Sequence, residues 1–357
     1  MDFYVEKIFK GPGFAETLYL GTANRQRIIR KTSNHNAQQF SRIALIREIR
    51  LLQSLPDILR PFFTELIRTN LENQDECSPD LPEIIYYDMP YYSPEDGWDT
   101  LSRLLLDNSL NREKAMHILG EIIDAAFLYF EAVTREPDKD YVENTMLQSI
   151  RESIDWARSD AEFSQLCAIK NLSISGRQVK NANELDEYFQ NTKHMKTLLT
   201  PFRDRFIHGD FFPENIIYNK NTGKWLLLDP VSVRGVFRGD FILDVNKMDD
   251  WLSGELPALR LRQFSVDIHN NNVFLTVHNQ AGKLGNLHKL GLSEWYREFL
   301  KDEKYTRIFN EESGWELRWK FVKAFYAFCM IPLADRQQAV ARYFLAIASM
   351  NDFLESL

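Results

Sequence analysis

The order of apolar and polar positions divides the chain into a β-rich beginning and a helical remainder. Residues 3–31 read as strands joined by turns, with a turn signal at Gly11-Pro12-Gly13. Segments 16–20 and 27–31 are predicted to flank a turn near 21–24. From Gln38 to Leu55 the spacing changes. Phe40, Ile43, Ile46, Ile49 and Leu52 recur at threes and line one face of a helix that Pro56 stops. Residues 83–87 form a further short β-like run. From Asn111 onward helices dominate. Ile118, Leu119, Ile122, Ile123, Ala126 and Phe127 fall at helical spacing within 115–132, and 143–167 and 183–199 also read as helical. A β signal then interrupts. Phe206-Ile207 leads into a polar loop, Ile216-Ile217-Tyr218 follows, 219–224 is a turn, and 225–228 is a second apolar strand. The last third is predicted to be helical over 241–252, 258–279, 292–301 and 315–354. A small sheet with one helix, then a mainly helical part holding a hairpin, is an α+β plan with two lobes. The predicted boundary lies near 87–92, giving lobes of residues 1–90 and 91–357.

Composition narrows the class without changing this plan. With 357 residues, 44% hydrophobic and 26% charged, the chain has the make-up of a globular protein rather than a disordered or collagenous one. Its formal charge of −8 removes the commonest reason to expect a nucleic-acid partner. Cys77, Cys167 and Cys329 lie far apart without a CxxC pair, so neither a zinc site nor a disulfide framework is expected, and a reducing compartment fits. Glu6, Lys7 and Lys10 interrupt any signal-like apolar segment, and the longest apolar run, near 324–334, is too short for a membrane span. A cytoplasmic protein without membrane or nucleic-acid partners is therefore expected. The sequence does not set its oligomeric state.

One stretch carries most of the chemistry: Ile207-His208-Gly209-Asp210-Phe211-Phe212-Pro213-Glu214-Asn215-Ile216-Ile217, followed by Leu226-Leu227-Leu228-Asp229-Pro230. Asp210 and Asn215 occupy one tight loop between strands, and Asp229 ends the returning strand. Two carboxylates and a carboxamide thus converge. Hard divalent cations such as Mg²⁺ prefer oxygen ligands of this kind, completed by waters and phosphate oxygens. One carboxylate can remain available to take a proton from an attacking hydroxyl. Read on their own, the same residues are also ordinary hairpin-turn residues.

The pattern resembles the aminoglycoside phosphotransferase and choline kinase-like family, a branch of the protein kinase-like fold. The resemblance rests on His208-Gly209-Asp210, Asn215 five residues on, and Asp229 fourteen beyond that. Gly239-Asp240-Phe241-Ile242-Leu243-Asp244 matches a further family feature, a Gly-Asp followed by an Asp that opens a helix. The likeness spans roughly residues 3–256, with its sharp motifs in 207–244. It implies a small N-terminal β-sheet lobe with one helix and a larger, mainly helical C-terminal lobe. It implies Asp210 as catalytic base, Asn215 and Asp229 as Mg²⁺ ligands, and Asp244 as a structural tie between the catalytic loop and its helix. It also implies ATP or GTP as co-substrate.

The N-terminal part is then expected to hold the nucleotide. Residues 10–14 could cover the phosphates, although they lack the GxGxxG pattern and are also an ordinary turn. A cation on the third strand should reach the phosphates. Arg30 and Lys31 are both available, but neighbours on a strand point to opposite faces, so only one can do so. Lys31 is preferred, with Arg30 close behind. Glu48 is the acid expected to pair with that cation. The backbone of 88–91, with Met89 and Tyr91, falls where the adenine edge would bind; its aromatic density also fits core packing. Departures from the family pattern shape the substrate reading. Pro230 follows Asp229 in place of Phe-Gly, the choline-kinase-like continuation is absent, and Gly209 stands where protein kinases carry Arg. A small-molecule kinase is therefore expected rather than a protein or choline kinase. Arg234 and Arg238, just after Asp229, suit a neutral sugar or an anionic sugar derivative. Asp249, Asp250 and Glu255 could offer an acidic pocket for a polycationic antibiotic, but a solvated helix face is the simpler reading. The alternatives are thus an aminoglycoside-type antibiotic phosphotransferase and a catalytically weak, kinase-like nucleotide-binding module.

Overall fold

The structure is a computed structural model and describes residues 3–9, 16–33, 38–71, 81–230 and 238–357. The loop 10–14, Cys77 and Arg234 lie outside the described residues. The protein is α+β, with an antiparallel sheet at the N-terminus and a helical C-terminal part. It forms two compact units that interleave in sequence. The first comprises Met1–Leu104 and His208–Phe237; the second comprises Leu105–Ile207 and Arg238–Leu357. The motif-bearing hairpin thus belongs with the N-terminal sheet, a division different from the single cut near residue 90 that the pattern suggests.

In the first unit, strands β1 (Tyr4–Phe9), β2 (Glu16–Ala23), β3 (Gln26–Ser33), β4 (Arg68–Thr69) and β5 (Tyr86–Pro90) form one antiparallel sheet in the order β1-β2-β3-β5-β4. The β2–β3 turn comes later than expected. Asn24 and Arg25 both have positive φ, 51° and 65°, the signature of a two-residue type I′ hairpin. Gly21 lies inside β2, where a Cβ would run into the Tyr4 carbonyl oxygen and the Phe3 ring. Its small size serves the close approach of β1, not the turn.

Helix α1 (Gln38–Ser54) buries Leu45, Ile46, Ile49 and Leu52. Glu48 shares that buried side and is 4% exposed. The unit's second sheet is built from β6 (Trp98–Thr100), β7 (Ile216–Asn219) and β8 (Trp225–Leu227), in the antiparallel order β8-β7-β6. The segment after α1 joins the hairpin to this unit. Phe63 pairs with Leu227, Thr64 donates its N–H to the Leu227 carbonyl at 3.1 Å, and Phe62 stacks on Trp225 with ring centroids 5.4 Å apart.

The second unit is mainly helical. Asn111 caps helix Arg112–Ala132 by accepting the Lys114 N–H, and the expected apolar stripe from Ile118 to Phe127 is buried. The expected helix 183–199 is two helices, Ala182–Gln190 and Thr192–Leu199, because Asn191 leaves helical geometry and caps the second through the His194 N–H. The segment predicted helical over 143–167 contains a wide turn at Val142–Leu147 and helices Gln148–Ser159 and Phe163–Cys167. Around Pro332 the last predicted helix divides into Trp315–Cys329 and Arg336–Leu354.

The helix predicted over 258–279 is not there. After a short helix, Glu255–Leu261, the chain forms antiparallel strands Phe264–His269 and Asn272–Val277. The physical reason is visible in the residues. Phe264, Val266 and Ile268, then Val273, Leu275 and Val277, alternate with period two about an Asn270-Asn271 turn, and Asn270 has φ 58°. Among the described residues no helix is long and apolar enough to cross a membrane.

Candidate active site

The parity of β3 separates Arg30 from Lys31. Lys31 lies directly opposite Tyr87 of β5, so both side chains share one face. On that face Lys31 Nζ donates to Glu48 Oε2 at 2.8 Å, and the Tyr87 hydroxyl donates to Glu48 Oε1 at 2.7 Å. Lys31 and Glu48 are 5% and 4% exposed, so this is a buried ion pair on the inner side of α1. The hydroxyl of Tyr87 is held well above its ordinary pKa, first by burial and then by the Glu48 charge.

Arg30 faces the other way. Its guanidinium makes two hydrogen bonds to Asp88 and lies over the rings of Phe3 and Tyr86, 4.0 and 4.1 Å from their centroids. Asp88 is fully buried and also binds Arg68 from β4. This second charge cluster ties three strands together on the opposite side of the sheet. Tyr87, which fixes one oxygen of Glu48, was not among the expected site residues; its position opposite Lys31 depends on a strand register that the sequence does not display.

Lys31 also reaches the hairpin. Its ammonium lies 2.9 Å from Asp229 Oδ1. Asp229 follows β8 with φ 50° in the left-handed region, a conformation that costs about 1–3 kcal/mol in an ordinary residue and is concentrated at functional sites. Its side chain is 47% exposed. Across the loop, Asn215 donates its side-chain N–H groups to the Asp210 backbone carbonyl at 2.9 Å and to Asp210 Oδ2 at 3.0 Å. The Asn215 carboxamide oxygen is thereby turned away from Asp210.

His208 holds the two ends of this loop together. Its Nδ1 accepts the Asp210 N–H at 3.2 Å, and its Nε2 lies 2.9 Å from the Leu228 carbonyl oxygen. That pairing is consistent with a neutral ring protonated on Nε2, which donates to Leu228. The ring is fully buried and packs against Phe63; burial pushes its pKa down to about 4. The Leu228 N–H meanwhile donates to the Asn215 carbonyl at 2.8 Å. His208 and Asn215 therefore clamp the residue just before Asp229. Gly209 between His208 and Asp210 has φ 84°, a region open to glycine at little cost.

The low pKa of His208 gives a signed prediction. Between pH 6.5 and about 4 the unfolded histidine binds a proton that the folded one refuses, so stability falls as pH falls through that window. The span corresponds to about 3 kcal/mol. Denaturant unfolding at pH 7 and pH 4.5 should show this loss in the wild type and a smaller loss in His208→Gln. Equal losses in the two proteins would remove His208 as its source.

The other expected residues are placed as follows. Met89 is buried in β5 opposite Ile29, and Tyr91 lies just beyond the strand with the Arg27 guanidinium 4.7 Å from its ring centroid. β4 pairs with β5 at Tyr87 and Asp88, and the Asp88 carbonyl accepts the Ile67 N–H. Met89 and Tyr91 lie past the end of that pairing. In the second unit, Arg238 lies in a two-residue strand paired with Phe206. Asp244 is fully buried, 3.5 Å from the Tyr129 hydroxyl, while Asp240 binds the buried Arg318.

The acidic group on helix Ile242–Leu252 is not a solvated face. Asp249 is 3% exposed and held by two nitrogens of Arg297, and Lys323 pairs with Glu255 at 3.0 Å and Asp250 at 3.8 Å. A helix that reads as polar at these positions is covered by its neighbours, which supply the opposing charges.

The donor set at the hairpin fits a divalent cation. Asn215 and Asp229 can offer oxygen atoms to it, and Lys31 is shared between two carboxylates, Glu48 and Asp229, so the pairing leaves negative charge in excess. No cluster of three or more His, Cys, Asp and Glu occurs among the described residues, so protein atoms alone would not complete a coordination shell. Mg²⁺ commonly leaves several positions to water and phosphate.

No protein-family model matches the chain, and no curated protein sequence matches it. Solved structures do. A candidate aminoglycoside phosphotransferase from Ralstonia eutropha JMP134 superposes with a TM-score of 0.52 at 13% identity, over 99% of this chain and 92% of that one. A candidate fructosamine-3-kinase from Haemophilus somnus 129PT gives 0.52 at 10% identity, over 99% and 92%. Plasmodium vivax ethanolamine kinase gives 0.50 at 10% identity, over 99% and 84%. At these identities the likeness is one of fold: the chain has the protein kinase-like fold shared by these small-molecule phosphotransferases.

Proposed function

We propose that the protein is a small-molecule kinase that moves the γ-phosphate of ATP or GTP to a hydroxyl group, with a sugar or sugar derivative as acceptor. The observation that carries this reading is the buried Lys31–Glu48 pair extended to Asp229, beside a loop in which Asn215 orients Asp210. Structural likeness to proteins named as kinases of fructosamine and ethanolamine and as an aminoglycoside phosphotransferase supports the class of reaction.

In this mechanism Lys31 holds the nucleotide phosphates, and Glu48 keeps its ammonium on the correct side of β3. Met89 and Tyr91 border the adenine. Asn215 and Asp229 would hold Mg²⁺, which when bound would spread the charge developing on the phosphates. Asp210 accepts the proton of the acceptor hydroxyl as its oxygen bonds to the γ-phosphorus and the bond to the nucleoside diphosphate breaks. Asn215 fixes the carboxylate for that task. The chemistry asked of the protein is chiefly positioning and electrostatic stabilisation.

The antibiotic reading retains the structural likeness to the Ralstonia protein, but the acidic group at Asp249, Asp250 and Glu255 adds nothing to it, because Arg297 and Lys323 already face those carboxylates. A panel of sugars, amino sugars, aminoglycosides and amino alcohols, assayed with labelled ATP and GTP, tests the proposal. Transfer to a sugar-type hydroxyl is expected. Mg-nucleotide binding without transfer to any acceptor would favour the binding-module reading instead.

A further inference from the structure

The second unit contains a small pocket, open to solvent, between helices Ile242–Leu252, Glu255–Leu261, Trp315–Cys329 and Arg336–Leu354. Leu256, Leu259, Tyr326 and Met330 contribute apolar surface. Its charged lining is unbalanced: Lys247, Arg260, Lys323 and Arg342 against Asp250 and Glu255. One lysine, Lys323, already pairs with both carboxylates, and burial pushes Asp250 up to about 7, weakening its charge near neutral pH.

Arg342 is the distinctive group. It is 6% exposed, and its Nε has no hydrogen-bond partner among the described residues. Burial, and then the neighbouring charge of Arg260, lower its pKa to about 10 against the opposing pull of Glu255, Asp250 and Asp335, still far enough above neutrality to keep it a cation. Desolvating a guanidinium without an ion-paired carboxylate is costly, and proteins normally match such a charge. A planar guanidinium is well suited to oxyanions, which it can bind through two parallel N–H groups. The apolar walls suit the body of a small organic molecule.

We propose that this pocket binds a small organic molecule through a compact oxyanion, a phosphate monoester or a carboxylate, with Arg342 as the principal contact. The site stands independently of the phosphotransfer reading, since none of its lining residues is assigned a role there. Lys247, Arg260 and Lys323 raise the local positive potential, and the apolar wall accepts the uncharged part of the ligand.

The test uses the full chain and two probes, inorganic phosphate and malonate, titrated at constant ionic strength by calorimetry and by thermal unfolding. Saturable binding of at least one probe is expected, with the preferred probe separating phosphate from carboxylate recognition. Arg342→Met should weaken it at least tenfold, about 1.4 kcal/mol. Without anion, Arg342→Met should unfold no lower than the wild type, because it removes a desolvated charge that no carboxylate binds directly. Arg260→Gln, a milder change at the partly exposed side, should also weaken binding and keeps the test valid if Arg342→Met fails to fold. The proposal is overturned if neither probe binds saturably or if neither pocket variant weakens binding.

Discussion

Replacing Asp210 by Asn should lower kcat by about 10²–10⁴ once an acceptor is in hand, while leaving nucleotide affinity close to that of the wild type. The substitution preserves size and polarity, and Asn215 can still bond the side chain and the backbone carbonyl of residue 210. What it removes is the proposed proton acceptor. Asp229→Ala should behave differently. Asp229 is bonded to Lys31, follows β8 in a left-handed conformation and is half exposed, a placement suited to a metal ligand. Its loss should weaken Mg-nucleotide binding as well as turnover. The measurements are nucleotide Kd and kcat for both variants. A near-normal kcat in Asp210→Asn, or unchanged Mg-nucleotide affinity in Asp229→Ala, would reject that residue's assigned task.

Lys31→Met should have the largest effect on stability. It leaves Glu48 buried with the Tyr87 hydroxyl but without its cation, and breaking a buried pair from one side typically costs about 3–5 kcal/mol. Changing Glu48 to Gln in the same chain should restore much of that stability, because no buried charge is then left unmatched. Nucleotide binding should not return. This double-mutant cycle separates the observed ion-pair role of Lys31 from its proposed phosphate contact. Unfolding in denaturant gives the first and nucleotide titration the second. Arg30→Met is the control: its losses should appear in stability, through the Asp88 cluster, with little effect on nucleotide affinity. A reversed pattern, with affinity lost in Arg30→Met and kept in Lys31→Met, would reassign the phosphate contact.

The hairpin was legible before any coordinates. Gly209, Asp210, Pro213 and Asn215 form a polar loop between two apolar runs, and the structure has β7 and β8 at 216–219 and 225–227. Helix α1 was equally plain from its apolar spacing and Pro56. The strand pair at 264–277 was misread as a helix although its period-two alternation was present, because the surrounding segments are helical and short apolar runs fit either period. The turn at Asn24-Arg25 lies later than the sequence suggests because Gly21, the more obvious turn residue, serves a close strand approach.

Local order thus determined most of the elements, the loop chemistry and the limit that only one of Arg30 and Lys31 can face the site. The tertiary structure decided which one. Parity along a strand has two solutions until another element covers one face; α1 and Tyr87 cover the Lys31 face, and Asp88 with Arg68 takes Arg30 on the other. The same holds for the acidic residues of helix Ile242–Leu252, which look solvent-facing in sequence and are buried against cations in space. Burial and charge pairing arise from contacts among residues far apart in the chain. Arg342 shows this most clearly: it sits in an unremarkable stretch of helix, and only the packing of four helices makes it a buried cation facing a pocket.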